Sequence, residues 1–256
     1  MSTGAITQYV DVAQLVLYGF WIFFAGLVYY LHRENKREGY PLESERSGHV
    51  RVQGFPAIPT PKTFKLQHGG TFSAPNDKRS MQRLAAEPVS RALGSPLEPT
   101  GNPMLDGVGP GSYADRADVA DVTYEGAIKI VPLRVAPGFG TAAKDVDPRG
   151  LKVIGADGKV GGTVTDAWVD RSEMLFRYLE VAVPVTGGTR NVLLPINFAR
   201  ITRRQVGVTS IMGHHFAEVP TTKHPDQVTL LEEEKIMAYY GGGTLYAHPS
   251  RKEPLI

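Results

Sequence analysis

Acidic and basic side chains gather in one stretch of the sequence, WVDRSEMLFRYLE at positions 168–180. The titratable residues in and near this stretch are Asp166, Asp170, Glu173, Arg177 and Glu180, with Glu125 and Lys129 upstream. Carboxyl groups that are buried side by side repel each other and lose solvation, which raises a carboxyl pKa and permits proton exchange at cellular pH. The stretch is therefore either ordinary surface charge or a proton-transfer site, in which Arg177 is placed to pair with Glu173.

Motifs for other chemistry are missing from the sequence. It has no HExxH, no GxSxG, no phosphate-binding loop and no EF-hand spacing. The absence of cysteine excludes disulfides, thiolate metal ligands and cysteine nucleophiles. The adjacent His214 and His215 indicate packing more than metal binding, because neighbouring positions point apart. We expect no catalytic, cofactor or metal site in this chain, and the net charge of +2 predicts no nucleic-acid partner.

One segment is long and apolar enough to cross a membrane. Residues 12–31, VAQLVLYGFWIFFAGLVYYL, carry no charge, and a helix of this length reaches roughly 30 Å, the thickness of a bilayer's hydrocarbon core. The basic residues that follow predict a cytoplasmic C-terminal part. We expect a periplasmic N-terminus at 1–11 and a transmembrane helix with its basic flank at 12–37. The residues expected at the membrane interface are Arg33, Lys36, Arg37 and Tyr40.

A cleaved signal peptide is the main alternative for this segment. The segment is too long for one, no positive charge precedes it, and no small-residue cleavage site follows it. Asp11 is placed to cap the helix. Gly19 and Gly26 lie on one helix face and favour close packing against a partner helix.

Two regions follow the anchor. Residues 38–115 are rich in proline and glycine, and we expect an extended segment with short strands along a protein or membrane surface rather than a disordered linker, with a hairpin at 61–75. In the last region, 116–256, alternating and β-branched runs predict a small barrel or sandwich. Its expected local features are a hairpin at Asp157-Gly158, a bulge or corner at Gly161-Gly162, and a C-terminal helix that begins with Asp226 as N-cap and stops at Gly241. Within that helix, Glu232, Glu233 and Glu234 are interpreted as a solvated face, with a cation or proton antenna as the alternative.

Several motifs together resemble the H subunit of the purple-bacterial photosynthetic reaction centre. The motifs are FWIFFAGLVYYLHRENKREGYPLE at 20–43, PTGNPMLDGVGPGSYADR at 99–116 and DQVTLLEEEKIMAYYGGGTLYA at 226–247. GTVTDAWVD with RYLEV is similar to the wider PRC-barrel type. The resemblance implies a single transmembrane α-helix plus a mainly-β cytoplasmic domain, a PRC-type β-barrel, with a C-terminal helix.

The resemblance also implies a function. A non-enzymatic subunit would cap the L and M chains on the cytoplasmic side and conduct protons to the secondary quinone. Bacteriochlorophyll, bacteriopheophytin, quinones, non-haem iron and carotenoid would be held by partner chains. The other expected partners are membrane lipids, a cytochrome subunit and a light-harvesting antenna, and the expected location is the bacterial inner, intracytoplasmic membrane.

By position, the resemblance implies that Glu173 and Asp170 lie near the inner end of the proton path and that Arg177 modulates them. The family's Asp-Gly-His-Gly-His run, where protons enter, corresponds here to TYEGA at 123–127. Glu125 replaces the first histidine and is the candidate for proton uptake, whereas Ala127 replaces the second. A family glutamate before the VTLLEE run is Gln227, which cannot titrate. The outer route must therefore differ from the family pattern.

Two hypotheses of other classes stand beside this one. A PRC-barrel adaptor in RNA processing would use the basic strand near Arg203, although such adaptors need no anchor helix. A membrane-tethered PRC-barrel adaptor or assembly protein is the alternative that keeps the anchor. A membrane-tethered enzyme would require a nucleophile and a base, for which the sequence offers no motif.

Overall fold

The computed structural model describes residues 11–43, 51–67, 69–76, 84–92 and 94–252. The chain forms two compact units, Met1–Gln82 and Arg83–Ile256. Apart from Asp11, the predicted periplasmic segment lies outside the described residues.

The first unit is dominated by the long apolar helix α1, Val12–Glu34, which continues as a short 3-10 turn at Asn35–Arg37. Asp11 caps the helix, because its side chain accepts the backbone N–H of Gln14 at 2.7 Å. No residue of α1 is buried by the chain itself. Within the described ranges, it is the one helix that is long and apolar enough to cross a bilayer.

Short antiparallel hairpins follow α1. β1 (Leu42–Glu43) pairs with β2 (Arg51–Val52), and β3 (Lys62–Lys65) pairs with β4 (Thr71–Ala74). Phe64 lies opposite Phe72 in the second hairpin, so the hairpin predicted at 61–75 is confirmed.

The second unit begins with another short hairpin, β5 (Ala86–Pro88) with β6 (Leu97–Pro99). The predicted extended segment 38–115 therefore runs through both units, since the contacts divide the chain at 82/83. The domain boundary at 115/116 stays a prediction.

A seven-stranded sheet is the largest element of the second unit. Its strands are β7 (Ile130–Pro132), β8 (Lys152–Ile154), β9 (Val160–Asp170), β10 (Leu175–Val185), β11 (Gly188–Pro195), β12 (Ala199–Ile201) and β13 (Gln205–Val208). The order is β11-β10-β9-β8-β13-β12, with β7 paired to the end of β9, and only the β8–β13 pairing is parallel. The core on this sheet includes Trp168, Leu179 and Phe216, each at most 1% exposed. This confirms the mainly-β fold.

A bulge bends β9 at Gly161, as the glycine pair predicts. Val153 lies opposite Gly162 and Ile154 lies opposite Val160, so Gly161 is the extra residue. A Cβ atom on Gly161 would stand 2.2 Å from the Phe216 ring. Only glycine lets the strand pass this ring at such a distance.

The C-terminal helix α2 spans Leu230–Tyr246 and differs from its prediction at both ends. Thr229, not Asp226, is the N-cap: its hydroxyl accepts the N–H of Glu232 at 3.1 Å, and the Glu232 carboxylate accepts the N–H of Thr229 at 2.9 Å. This capping box satisfies two free N–H groups at once, whereas the side chain of Asp226 accepts from Arg134.

The predicted stop at Gly241 is also wrong, because α2 runs through 241–243. A Cβ atom on Gly243 would lie 2.4 Å from Ile211 Cγ2, and one on Gly242 would lie 3.1 Å from Gly111 Cα. The glycines therefore permit close packing, which outweighs a propensity loss of about 1 kcal/mol per glycine.

Candidate functional site

Lys129 lies at the centre of three carboxylates at one end of the sheet. Its Nζ is 3.5 Å from Asp121 Oδ2, 3.5 Å from Asp170 Oδ2 and 3.9 Å from Glu173 Oε1. Strand pairing creates this arrangement, because Ile130, the next residue, lies opposite Asp170, the last residue of β9. The Lys129 N–H also donates to the Asp121 carbonyl at 2.8 Å. Two predicted site residues, Asp170 and Glu173, are thus brought to one cation.

The two acids differ in their exposure. The Asp170 side chain is 1% exposed, and its Oδ1 accepts the backbone N–H groups of Ser172 and Glu173 at 2.9 and 3.0 Å. Its other oxygen, Oδ2, has no hydrogen-bond partner among the described residues and faces Lys129. The Glu173 side chain is 52% exposed. The cluster therefore extends from solvent to the interior.

The charge of Lys129 is stabilised by these neighbours. Burial favours the neutral amine, but the carboxylates of Asp170 and Asp121 outweigh that effect and raise the pKa of the Lys129 ammonium. The ammonium is therefore a permanent positive charge at cellular pH.

Arg177 does not pair with Glu173 as the sequence predicts; in the described part of the chain the nearby cation is Lys129. Arg177 instead lines a cavity of about 620 Å³, together with Lys129, Asp121 and Glu233. The spacing of four residues misleads here because residues 173 and 177 lie in a turn and a strand, not in a helix.

The cavity wall also holds a pair that the sequence analysis missed. The Tyr178 hydroxyl donates to Glu233 Oε2 at 2.7 Å. Burial raises the pKa of Glu233, although the hydrogen bond from Tyr178 and the charges of Arg177 and Arg116 oppose the rise. Burial and the Glu233 charge raise the pKa of Tyr178, so the phenol stays protonated.

The interpretation of the three glutamates as a solvated face is therefore wrong for two of them. Glu232 is buried in the capping box, and Glu233 is half-buried against Tyr178. The side chain of Glu234 is 32% exposed and pairs with Arg116 at 3.5 Å. No sequence signal could have found this pair, since residues 178 and 233 are far apart in the chain and meet only where α2 packs on the sheet.

Comparison with known families identifies the chain. Residues 4–135 match the family described as photosynthetic reaction centre, H-chain N-terminal region, and residues 141–214 match the PRC-barrel domain. The first match covers just over half of the sequence. The chain belongs to the photosynthetic reaction centre H-chain family.

Membership makes this H chain a reaction-centre subunit and confirms the predicted fold class, an apolar helix followed by a mainly-β PRC barrel and a C-terminal helix. In the family, the cofactors sit in partner chains. Over the ranges that the structure describes, no group of three or more His, Cys, Asp or Glu side chains is placed to hold a metal ion.

The proton-uptake candidate Glu125 lies in an exposed turn of this H chain. The turn is closed by backbone hydrogen bonds between Thr123 and Ala127 at 2.7 Å and between Gly126 and Thr123 at 2.9 Å. In residues 94–252, no hydrogen bond or ion pair joins the Glu125 side chain to the acids around Lys129. Gln227 lies in a backbone bridge with His224. The role of Glu125 in proton uptake stays a prediction.

The basic residues after α1 have different surroundings. Lys36 is 3% exposed, donates to the Pro56 carbonyl at 2.7 Å and to the Gln53 carbonyl, and lies 5.0 Å from the centre of the Tyr40 ring. Lys36 thus connects the 3-10 turn after α1 to the loop that contains Gln53 and Pro56. The sequence could not reveal this contact.

Arg37 binds Glu34 through two hydrogen bonds of 2.8 Å and donates to the carbonyls of Thr60 and Ala74. Arg33 is exposed. The membrane-interface position of these residues and of Tyr40 remains a prediction.

The other two acids of the predicted cluster, Asp166 and Glu180, belong to a separate network. Arg134 Nη1 lies 3.2 Å from Asp166 Oδ2 and 2.7 Å from Glu180 Oε2. Glu180 also accepts from the Trp168 indole at 2.9 Å and the Asn191 amide at 2.9 Å. This network links side chains of β9, β10 and β11 to Arg134 and does not include Lys129.

Proposed function

We propose that this H chain caps the L and M chains on the cytoplasmic side of the membrane and conducts protons to the secondary quinone during light-driven electron transfer. The chain's own contribution is to deliver protons to the secondary quinone and to shield this quinone from water. The redox chemistry belongs to groups of the partner chains. Family membership supports the assignment to a reaction centre.

The observation that carries the proton-conducting role is the contact of Lys129 with both the buried Asp170 and the half-exposed Glu173. Reduction of a quinone to a quinol takes two protons as well as two electrons, and carboxyl groups spaced a few ångströms apart can receive and release these protons. The Lys129 ammonium lies within 4 Å of both acids and holds them at one place.

The anchor supports a position in the bacterial inner, intracytoplasmic membrane with a single pass and a periplasmic N-terminus. Large apolar side chains of α1, including Phe20, Trp21 and Phe24, are exposed in the isolated chain. Lipid and the helices of the partner chains would cover them. The basic residues after α1 support a cytoplasmic position for the barrel.

The chain is proposed to have no active site of its own. The PRC-barrel match by itself is compatible with an adaptor, whereas the H-chain match at residues 4–135, which include the anchor, favours the reaction-centre subunit. The reaction-centre subunit is therefore the function that we retain.

The test is Glu173→Gln in the assembled reaction centre. Loss of the titrating group is expected to slow the proton-coupled second reduction of the secondary quinone by roughly 100-fold, as for loss of a general acid. Primary charge separation should be unchanged. Glu98→Gln, in the exposed hairpin strand β6, is the matched control. Quinol formation at the normal rate in Glu173→Gln would refute the role.

A further inference from the structure

The cavity of about 620 Å³ beside α2 has a charged wall. Its ionisable lining residues include Arg116, Asp121, Lys129, Arg177, Glu233 and Glu234. A space of this size and polarity suits water molecules, which need several hydrogen-bonding groups around them. The cavity is therefore a suitable medium for proton movement.

The Tyr178–Glu233 pair fixes one carboxylate on this wall. Tyr178 is 2% exposed, and its hydroxyl holds Glu233 Oε2 at 2.7 Å. The tyrosine comes from the sheet and the glutamate from α2, so the pair positions a titratable group between two rigid elements.

The same cavity reaches the cluster around Lys129. Asp121 and Lys129 line it, and Lys129 Nζ lies 3.5 Å from both Asp121 Oδ2 and Asp170 Oδ2. A route from Glu233 thus runs through a polar cavity, past Asp121 and Lys129, to the buried Asp170. The TYEGA turn offers no such continuity, since its Glu125 is not among the residues that line the cavity.

We propose that Glu233, held by Tyr178, takes up protons from the cytoplasm and passes them through this cavity to Asp121 and on to Asp170 and Glu173. The inference rests on the proposed function and names the outer half of its route. In each cycle the Glu233 carboxylate binds a proton delivered by water, releases it to water in the cavity, and returns to the ionised form. Tyr178 keeps its own proton and serves as a positioning residue.

The groups that face Glu233 set its proton affinity. Tyr178 and Arg177 face it from β10, Arg116 and Asp121 from the segment before β7, and Glu234 follows it on α2. Burial and the charge of Asp121 favour the protonated acid, whereas Tyr178 and the two arginines favour the carboxylate. The net effect raises the pKa of Glu233 above its ordinary value of 4.5, toward cellular pH.

The experiment measures flash-induced proton uptake, with a pH-indicator dye, in reaction centres that carry Glu233→Gln. Uptake coupled to the second quinone reduction is expected to slow by about tenfold, and Glu233→Asp should restore part of the rate. The matched control is Glu98→Gln, which removes an exposed carboxylate of strand β6 that does not line the cavity. It should leave uptake unchanged.

A second variant, Tyr178→Phe, keeps the ring and removes the hydrogen bond to Glu233. Because the ionised carboxylate loses a donor, the pH profile of proton uptake should move to higher pH. This shift keeps the proposal testable if Glu233→Gln fails to assemble.

Three results would overturn the proposal: normal uptake in Glu233→Gln, equal slowing in Glu233→Gln and Glu98→Gln, or an unmoved pH profile in Tyr178→Phe. Glu173→Gln distinguishes a failure of this uptake proposal from a failure of the proposed function. If it slows uptake while Glu233→Gln does not, the uptake point is wrong and the proposed function stands. If neither variant slows uptake, the proposed function fails as well.

Discussion

The ammonium of Lys129 lies 3.5 Å from the carboxylate of Asp170, whose side chain is 1% exposed. The oxygen that faces Lys129 has no hydrogen-bond donor among the described residues. A buried charge in this position needs its counter-charge, because taking it out of water is costly. The proposed proton relay and the stability of this end of the barrel therefore depend on the same contact.

Lys129→Met tests this contact. The variant leaves Asp170 buried without a cation and should lower the free energy of unfolding by about 2 kcal/mol. Urea denaturation of the purified chain in detergent, followed by circular dichroism, measures the change. Lys152→Met, at the exposed first residue of β8, is the control. The double variant Lys129→Met/Asp170→Asn should recover part of the loss, and no recovery would contradict the pairing.

Arg134→Met tests the second network. It removes the guanidinium from Asp166 and Glu180, which are both buried, and should cost about 3 kcal/mol. Arg149→Met breaks an exposed pair with Asp147 and should cost about 0.5 kcal/mol or less. The same denaturation assay compares them. Equal losses would mean that the buried network contributes no more than a surface pair.

Gly161→Ala tests the bulge. Its methyl group would overlap the Phe216 ring, and overpacking of this kind should destabilise the chain by about 2 kcal/mol. Gly207→Ala, on strand β13, meets only the Arg200 carbonyl oxygen at 4.0 Å and should be neutral. A neutral Gly161→Ala in thermal denaturation would show that β9 can move away from the ring.

The raised pKa of Glu233 predicts a pH dependence of stability. A carboxyl group whose pKa is higher in the folded than in the unfolded chain binds more protons when folded. Its contribution is therefore fully present below its ordinary pKa of 4.5 and is lost as the pH rises through the folded value. Glu233→Gln has no titrating carboxyl group at this position, so the variant does not lose this stability as the pH rises.

Relative to the parent chain, Glu233→Gln should thus become more stable as the pH increases from about 4 to 7. Urea denaturation across this range measures the difference in unfolding free energy. A difference that does not change with pH would contradict the burial of the carboxyl group.

Much of the fold could be predicted because it depends on local patterns. The apolar run after Asp11, the hairpin at 61–75 and the glycine bulge in β9 are all visible in the spacing of residue types. The limits of α2 could not be predicted, because tertiary contacts decide them. Thr229 and Glu232 cap each other, and the glycines at 241–243 continue the helix where a neighbouring chain segment packs closely.

The candidate site was only partly visible. Asp170 and Glu173 are neighbours in sequence, and both reach Lys129. Tyr178 and Glu233 could not be paired from sequence, since they meet only after α2 packs on the sheet. Asp166 lies on β9 with Asp170, and Glu180 lies opposite Asp166 on β10. Both acids nevertheless pair with Arg134, outside the cluster around Lys129.

The most direct measurement of the central claim is the rate of light-induced proton uptake in reaction centres that carry Asp170→Asn and Glu173→Gln together. The account predicts that the double variant slows the uptake that accompanies the second quinone reduction by at least roughly 100-fold, while primary charge separation keeps its normal rate. Proton uptake at the parent rate in the double variant would contradict it.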